Sequence, residues 1–310
     1  MITKTLKTLT IGILISTLIL TSCTKEETKT NVTNPTLKSI YEIAKADTSF
    51  SILVAAINKA GLKETLSNAG TFTVFAPNNT AFRNEGIDEN VINEITDPDE
   101  ILYIKNELLF HVLGIKVKST DITNTYVPTL YEVGGNGVSL RTTTNPIKLN
   151  NEANVVAANI EATNGIIHVI DILLISPSIA DVPIINPSLS TLNSALVKAE
   201  LVETLYEVGP FTLFAPTNEA FNAINFNLEN YTKEQLLPIL TSHVLDAQVR
   251  SSSIQDGQQV TTLFPSTKLT FNTKSGVKFN GGSVNDITVS TADIQTVNGV
   301  VHIISKVVLP

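Results

Sequence analysis

The sequence predicts an α+β architecture in which one unit of about 130 residues is written twice in tandem. Three observations predict it. Gly61 to Phe82 aligns with Glu200 to Phe221 at an offset of 139, with 13 identities in 22 positions. Leu108 to Leu113 (LLFHVL) is answered by Leu240 to Leu245 (LTSHVL) at an offset of 132, and Asn164 to His168 (NGIIH) by Asn298 to His302 (NGVVH) at 134. Within each copy, helical periodicity comes first and strand-like runs come later, the α+β order. The falling offset puts about seven extra residues in the first copy between Phe82 and Ile104. A repeat of this length is a domain and not a solenoid unit.

The elements follow in chain order. Lys4 and Lys7 precede an uncharged apolar run from Ile11 to Leu20, and Leu20-Thr21-Ser22-Cys23 closes it. The run is too short to cross a bilayer, so residues 1–22 are expected to be an export signal. The tetrapeptide resembles the bacterial lipobox, which implies that Cys23, the sole cysteine, becomes an acylated N-terminus. Its several acyl chains would give the stable anchoring that a single chain does not. Cleavage there would remove two lysines and no acids, taking the charge from −8 to 19 − 29 = −10. Residues 23–36, rich in Thr, Asn and Lys, read as a flexible tether. At its start, Lys25-Glu26-Glu27 resembles the surface-export signal of Bacteroidetes lipoproteins. The implied location is the outer membrane, exposed at the cell surface, with the periplasmic face as the alternative.

The first domain is assigned to 37–176, a proline-containing link to 177–187, and the second domain to 188–310. Phe50, Leu53, Val54 and Ile57 fall on one helical face, repeated by Leu189, Leu192 and Leu196. Thr71 to Phe75 and Thr212 to Phe214 are β-rich runs stopped by Ala-Pro. Asp97-Pro98 reads as an N-cap with proline at the first helical position, and Thr232 with Gln235 as a capping box. Expected strands in copy one are Val138 to Thr143, Ile147 to Asn150 and Ile166 to Ile175. In copy two they are Lys268 to Asn272, Val277 to Asn280, Ile287 to Ser290 and Val300 to Leu309. The clusters Gly134-Gly135-Asn136-Gly137 and Asn280-Gly281-Gly282 mark turns.

The paired Phe-Ala-Pro strands followed by Ala-Phe, the Leu-rich helix ending in His-Val-Leu, and the late Asn-Gly-(Ile/Val)-(Ile/Val)-His strand occur in the same order in both copies. This pattern resembles the fasciclin-like domain, and it covers nearly everything from Leu37 to Pro310. The resemblance implies two wedge-shaped β-sandwiches with helices packed along one edge, and adhesion or ligand binding without catalysis. In animal matrix proteins of this family, an Asp-Ile pair before the late strand is implicated in partner binding. Asp293-Ile294 occupies that position in copy two, and Asn159-Ile160 in copy one.

All four histidines sit in the repeated motifs. His111 shares a helical face with Ile104, Leu108 and Val112, and His243 with Leu236, Leu240 and Val244. His168 alternates with Ile166 and Ile170, and His302 with Val300 and Ile304. Apolar company at these spacings argues for buried, hydrogen-bonded, neutral rings and against a metal or acid–base set. The repeated Asn79, Asn218, Asn164 and Asn298 are expected to serve helix caps and turns, where Asn bonds nearby backbone amides. No phosphate loop, nucleophile elbow or zinc-protease motif is present. No enzyme activity, cofactor or metal is therefore expected.

The hydrophobic fraction of 43% excludes a disordered chain, and 29 acids against 21 bases argue against a nucleic-acid partner. The expected partners are the membrane, through the N-terminal lipid, and an extracellular protein or glycan. An alternative function is an accessory lipoprotein that captures glycans for uptake. Zero Trp and six Tyr leave few aromatic platforms for stacking on sugars.

Overall fold

The computed structural model describes residues 37–207, 209–274 and 276–310. The expected export signal, Cys23, Lys25, Glu26, Glu27 and the tether lie outside the described residues.

Each domain opens with short helices. In the first, the Ser39 hydroxyl accepts from the Glu42 N–H while the Glu42 carboxylate accepts from the Ser39 N–H, a capping box that starts the Ile40–Ala46 helix. Asp97 caps Pro98–Phe110 by accepting from the N–H groups of Asp99 and Glu100. Thr232 and Gln235 form the reciprocal box that opens Lys233–Thr241.

The first domain contributes β1 (Phe72–Pro77), β2 (Val112–Leu113), β3 (Thr125–Val133), β4 (Asn136–Thr143), β5 (Lys148–Leu149), β6 (Ala153–Ala162) and β7 (Gly165–Ile170). They form one sheet in the order β2-β1-β7-β6-β5-β4-β3. The second domain repeats it with β8 (Phe211–Pro216), β9 (Val244–Leu245), β10 (Gln259–Thr261), β11 (Lys268–Asn272), β12 (Lys278–Gly281), β13 (Val284–Gln295) and β14 (Gly299–Ile304). Here the order is β10-β11-β12-β13-β14-β8-β9.

At the centre of each sheet, a strand from early in the domain runs parallel to the last one: β1 with β7, and β8 with β14. These strands are buried on both faces, which is why they read as continuous apolar runs. In β7, Ile167 and Val169 face the helices beside Val74 and Ala76. On the other face, Ile170 packs with Phe75, Val138, Leu140 and Leu149. Residues of β1 and β7 thus touch residues of β4 and β5, strands that are not their neighbours in the sheet. The sheet must therefore fold over on itself. Register shifts in β6 and β13 mark where it turns, since a bulge bends its strand. The result is the expected α+β sandwich, with helices over one layer.

Both Asn-Gly pairs are explained by this parallel pairing. A Cβ on Gly165 would lie 2.1 Å from the Phe72 carbonyl oxygen, and one on Gly299 would lie 2.3 Å from that of Phe211. Only a residue without a side chain lets the backbones approach so closely.

Three expectations need correction. Strands β3, β6 and β10 are additional to the expected ones, as are β2 and β9, where Val112 and Val244 leave the helix and pair as strand, and β13 is much longer than Ile287 to Ser290. β6 and β13 are half exposed and bulged, so they lack the alternation that marks a strand. The late strands stop at Ile170 and Ile304, and of the residues expected to continue them only Leu309 pairs, in a single bridge with Gly282. The segment 177–187 is no free link. Ile179, Ala180 and Val182 are buried in the core of the second domain, and Val182–Ile185 is helical. Its prolines reflect a tight entry into that domain, with Pro183 in the first turn of the helix.

Candidate functional site

The repeated polar residues form one construction, built twice. His111 follows the last turn of its helix, and its Nδ1–H donates to the Glu107 carbonyl at 2.7 Å. Its Nε2 accepts from the Leu174 N–H at 3.1 Å. His243 does the same with the Ile239 carbonyl at 2.8 Å and the Val308 N–H at 2.9 Å. The strand histidines use the opposite tautomer. His168 donates from Nε2 to the Val117 carbonyl at 2.9 Å and accepts at Nδ1 from the Asn159 N–H at 3.3 Å. His302 donates to Val249 at 2.8 Å and accepts from Asp293 at 3.2 Å. Because each acceptor nitrogen faces a backbone N–H, the tautomers follow from the partners.

All four rings are buried. Desolvation holds the pKa of His111 and of His243 down to about 4, and lowers those of His168 and His302. Neutral rings with both nitrogens occupied have no lone pair left for a metal. Among the described residues no group of His, Cys, Asp and Glu could hold one. His168 also stacks on Phe75 at 5.6 Å, and His302 on Phe214 at 5.3 Å, as their register opposite those residues requires.

Two threonines that sequence reasoning passed over complete the unit. Thr73 donates to the Ile115 carbonyl and accepts from the Val117 N–H. Thr212 repeats this with Ala247 and Val249. The signal was available, because Phe-Thr recurs in both β1 and β8. Thr and His, on one face of the parallel strand pair, thus hold the same extended segment.

The asparagines act at a distance. Asn164 accepts from the Ile40 N–H at 2.9 Å and donates to the carbonyls of Leu66 and Asn68. Asn298 accepts from Ile179 and donates to Leu205 and Tyr206. Asn79 and Asn218 do not cap their own helices, which start after Asn78 and Thr217. Each instead reaches back to an earlier helix whose own N-cap residue, Phe50 or Leu189, offers no hydrogen-bonding side chain. Asn79 accepts from the Ile52 N–H, and Asn218 from that of Thr191.

Asp293 and Asn159 lie at equivalent bulges with φ of 60° and 61°. Asp293 accepts from the Ser251 N–H and hydroxyl; Asn159 accepts from the Ser119 N–H and donates from Nδ2 to the Ser119 hydroxyl, each securing a short 3₁₀ turn. Ile294 is 1% exposed and sits in the core of the second domain. The pair offered as a partner contact therefore has one member inside the protein and the other engaged with Ser251.

A family model described as the Fasciclin domain matches residues 48–176 and again 187–310. The chain belongs to the fasciclin family. Human periostin is 32% identical over 262 residues, which is 80% of this chain and 29% of periostin. Protein sll1483 of Synechocystis is 40% identical over 139 residues, covering 43% of this chain and 73% of that protein. A solved FAS1 domain pair from the insect cell adhesion molecule Fasciclin I aligns with 87% of this chain and 96% of its own, at 17% identity and a TM-score of 0.45. This fasciclin chain thus spans less than a third of periostin's length.

The two fasciclin domains touch directly. The Gln295 N–H donates to the Ser139 hydroxyl at 3.0 Å, and Asn186 Nδ2 to the Tyr126 hydroxyl at 3.0 Å. Tyr126 packs against the core of the second domain, and Val297 against that of the first. Just before the junction, the buried Glu107 carboxylate accepts from the N–H and hydroxyl of Ser176. Burial raises its pKa, and those two hydrogen bonds only partly offset this. Among the described residues no helix is long and apolar enough to cross a membrane.

Proposed function

We propose that this chain is a lipid-anchored cell-surface adhesion or binding protein that acts through its two fasciclin domains and has no catalytic role. The observation that carries this reading is the tandem fasciclin match over 48–176 and 187–310. The insect cell adhesion molecule Fasciclin I also carries a pair of these domains. The commitment of every histidine nitrogen to the backbone supports a binding role over acid–base chemistry. In this proposal Cys23 carries the lipid, and Lys25, Glu26 and Glu27 direct the protein to the outer face of the outer membrane.

The test is a comparison of adhesion by intact cells with and without the protein, on immobilised matrix proteins, glycans and bacterial surface proteins. Equal adhesion on every surface would overturn the reading. Cys23→Ala is expected to abolish fatty-acid labelling, and label retained by that variant would refute the anchor. Alanines at Lys25, Glu26 and Glu27 should leave labelling intact while protecting the protein from protease added to whole cells. Unchanged shaving of that variant would remove the export assignment.

A further inference from the structure

Where the two domains meet, a cleft of about 400 Å³ opens between Tyr126 and Arg141 of the first domain, the Asn186–Ser188 turn, and Thr217, Ser290 and Thr291 of the second. Its volume lies within the range of small-ligand sites, and such sites favour domain interfaces. Among the described residues, Arg141 is the only charged one in its lining. In a chain with 29 acids against 21 bases, that is a local reversal of sign.

Arg141 Nη1 is buried without a hydrogen-bond partner, although the guanidinium lies beside the Tyr126 hydroxyl, and among the described residues Arg141 takes part in no salt bridge. An unpaired buried donor is costly, more so when it is charged. The remaining lining is rich in hydroxyls with capacity to spare. The Tyr126 hydroxyl accepts from Asn186 and keeps its own proton to donate, and Thr217 accepts from the Ala220 N–H and does likewise. Ser188 and Ser290 donate to protein oxygens, to Asn186 and to the Ile303 carbonyl, so their lone pairs remain.

We propose that this cleft is a binding site for an acidic sugar, with the sugar carboxylate on Arg141 and its ring hydroxyls on the surrounding hydroxyl groups. A guanidinium fork matches a planar carboxylate, and partial burial strengthens that contact relative to water. Mixed donors and acceptors around it fit a polyhydroxylated body better than an apolar one. Among the described residues no carboxylate lines the cleft to repel the ligand or to compete for Arg141. The site goes beyond the adhesion reading and does not rest on it, since either domain could adhere through another face.

The test is calorimetric titration of the intact chain in detergent with galacturonate, galactose and N-acetylglycine. Galacturonate is expected to bind saturably, and the other two at least tenfold more weakly. Arg141→Gln should weaken galacturonate at least tenfold, and Arg141→Lys, which keeps the charge but not the fork, by an intermediate factor. Galactose binding as tightly as galacturonate would overturn the role of the carboxylate. N-acetylglycine binding as tightly would overturn the sugar assignment, and so would an absence of galacturonate binding. If Arg141→Gln does not fold, Thr291→Val at the cleft decides the matter. It is expected to weaken galacturonate about threefold with an unchanged melting temperature, and an unaltered affinity would overturn the proposal.

Discussion

Asn298 Oδ1 accepts the backbone N–H of Ile179, 119 residues earlier in the chain, at 2.9 Å. This bond joins the entry of the second domain to the start of its last strand. Its counterpart in the first domain is Asn164 with Ile40, also at 2.9 Å. The second domain therefore begins near Ser178, as the first begins near Ser39.

A fragment of residues 177–310 should unfold cooperatively on its own, because it contains the whole second core. A fragment of 188–310 lacks Ile179, Ala180 and Val182 and leaves Asn298 without its partner. It should be less stable by several kcal/mol, since each lost large apolar side chain costs about 2–5 kcal/mol. Denaturant titration of both fragments checks this. Equal midpoints would return 177–187 to the status of a link.

His243→Ala should destabilise the second domain by about 3 kcal/mol. It removes two hydrogen bonds, leaves the Val308 N–H unpaired inside the protein, and opens a cavity. Chelators should not move the melting temperature of the parent, because no ring nitrogen is free to bind a metal. A stoichiometric metal lost on His243→Ala, with the fold intact, would contradict that.

The pH dependence follows from the same rings. His111 and His243 have folded pKa values near 4, below the unfolded value of about 6.5. Between these values the unfolded chain binds more protons than the folded one, so stability falls as the solution is acidified. The contribution of each ring is complete above about pH 6.5 and is lost as pH falls towards 4, with a slope of about 1.4 kcal/mol per pH unit. In the first domain Glu107 opposes this. Its raised pKa means that the folded state takes up protons more readily, which favours folding as pH falls. Melting curves from pH 7 to 4.5 should therefore show a shallower acid dependence for the first domain than for the second, where Ile239 follows the same geometry without a carboxylate. Parallel curves would refute the role given to Glu107.

Asp293→Asn should be nearly neutral, within about 0.5 kcal/mol, because Asn159 already fills the equivalent position with the same positive φ. Asp293→Val should cost well over 1 kcal/mol, since a β-branched residue resists that backbone region and cannot hold Ser251. Adhesion by the Asn variant should match the parent. Loss of adhesion with unchanged stability would restore Asp293 as a partner contact.

The sequence by itself determined the duplication, the α+β order, the helix caps at Asp97 and Thr232, and the burial of the histidines. These were legible because identities, capping residues and the 3.6 and 2.0 periods are local, and every motif appears twice. Three-dimensional closure decided the rest. That Asn79 serves the helix of Ile52, and that Thr73 and His168 grip one segment together, depends on chain stretches many residues apart being brought into contact. The bulged strands β6 and β13 were hidden because the fold of the sheet, and not the side-chain pattern, sets their register. The cleft at Arg141 has no repeated motif to announce it. It exists because two domains pack against each other, and a lining drawn from both has no signature in either one.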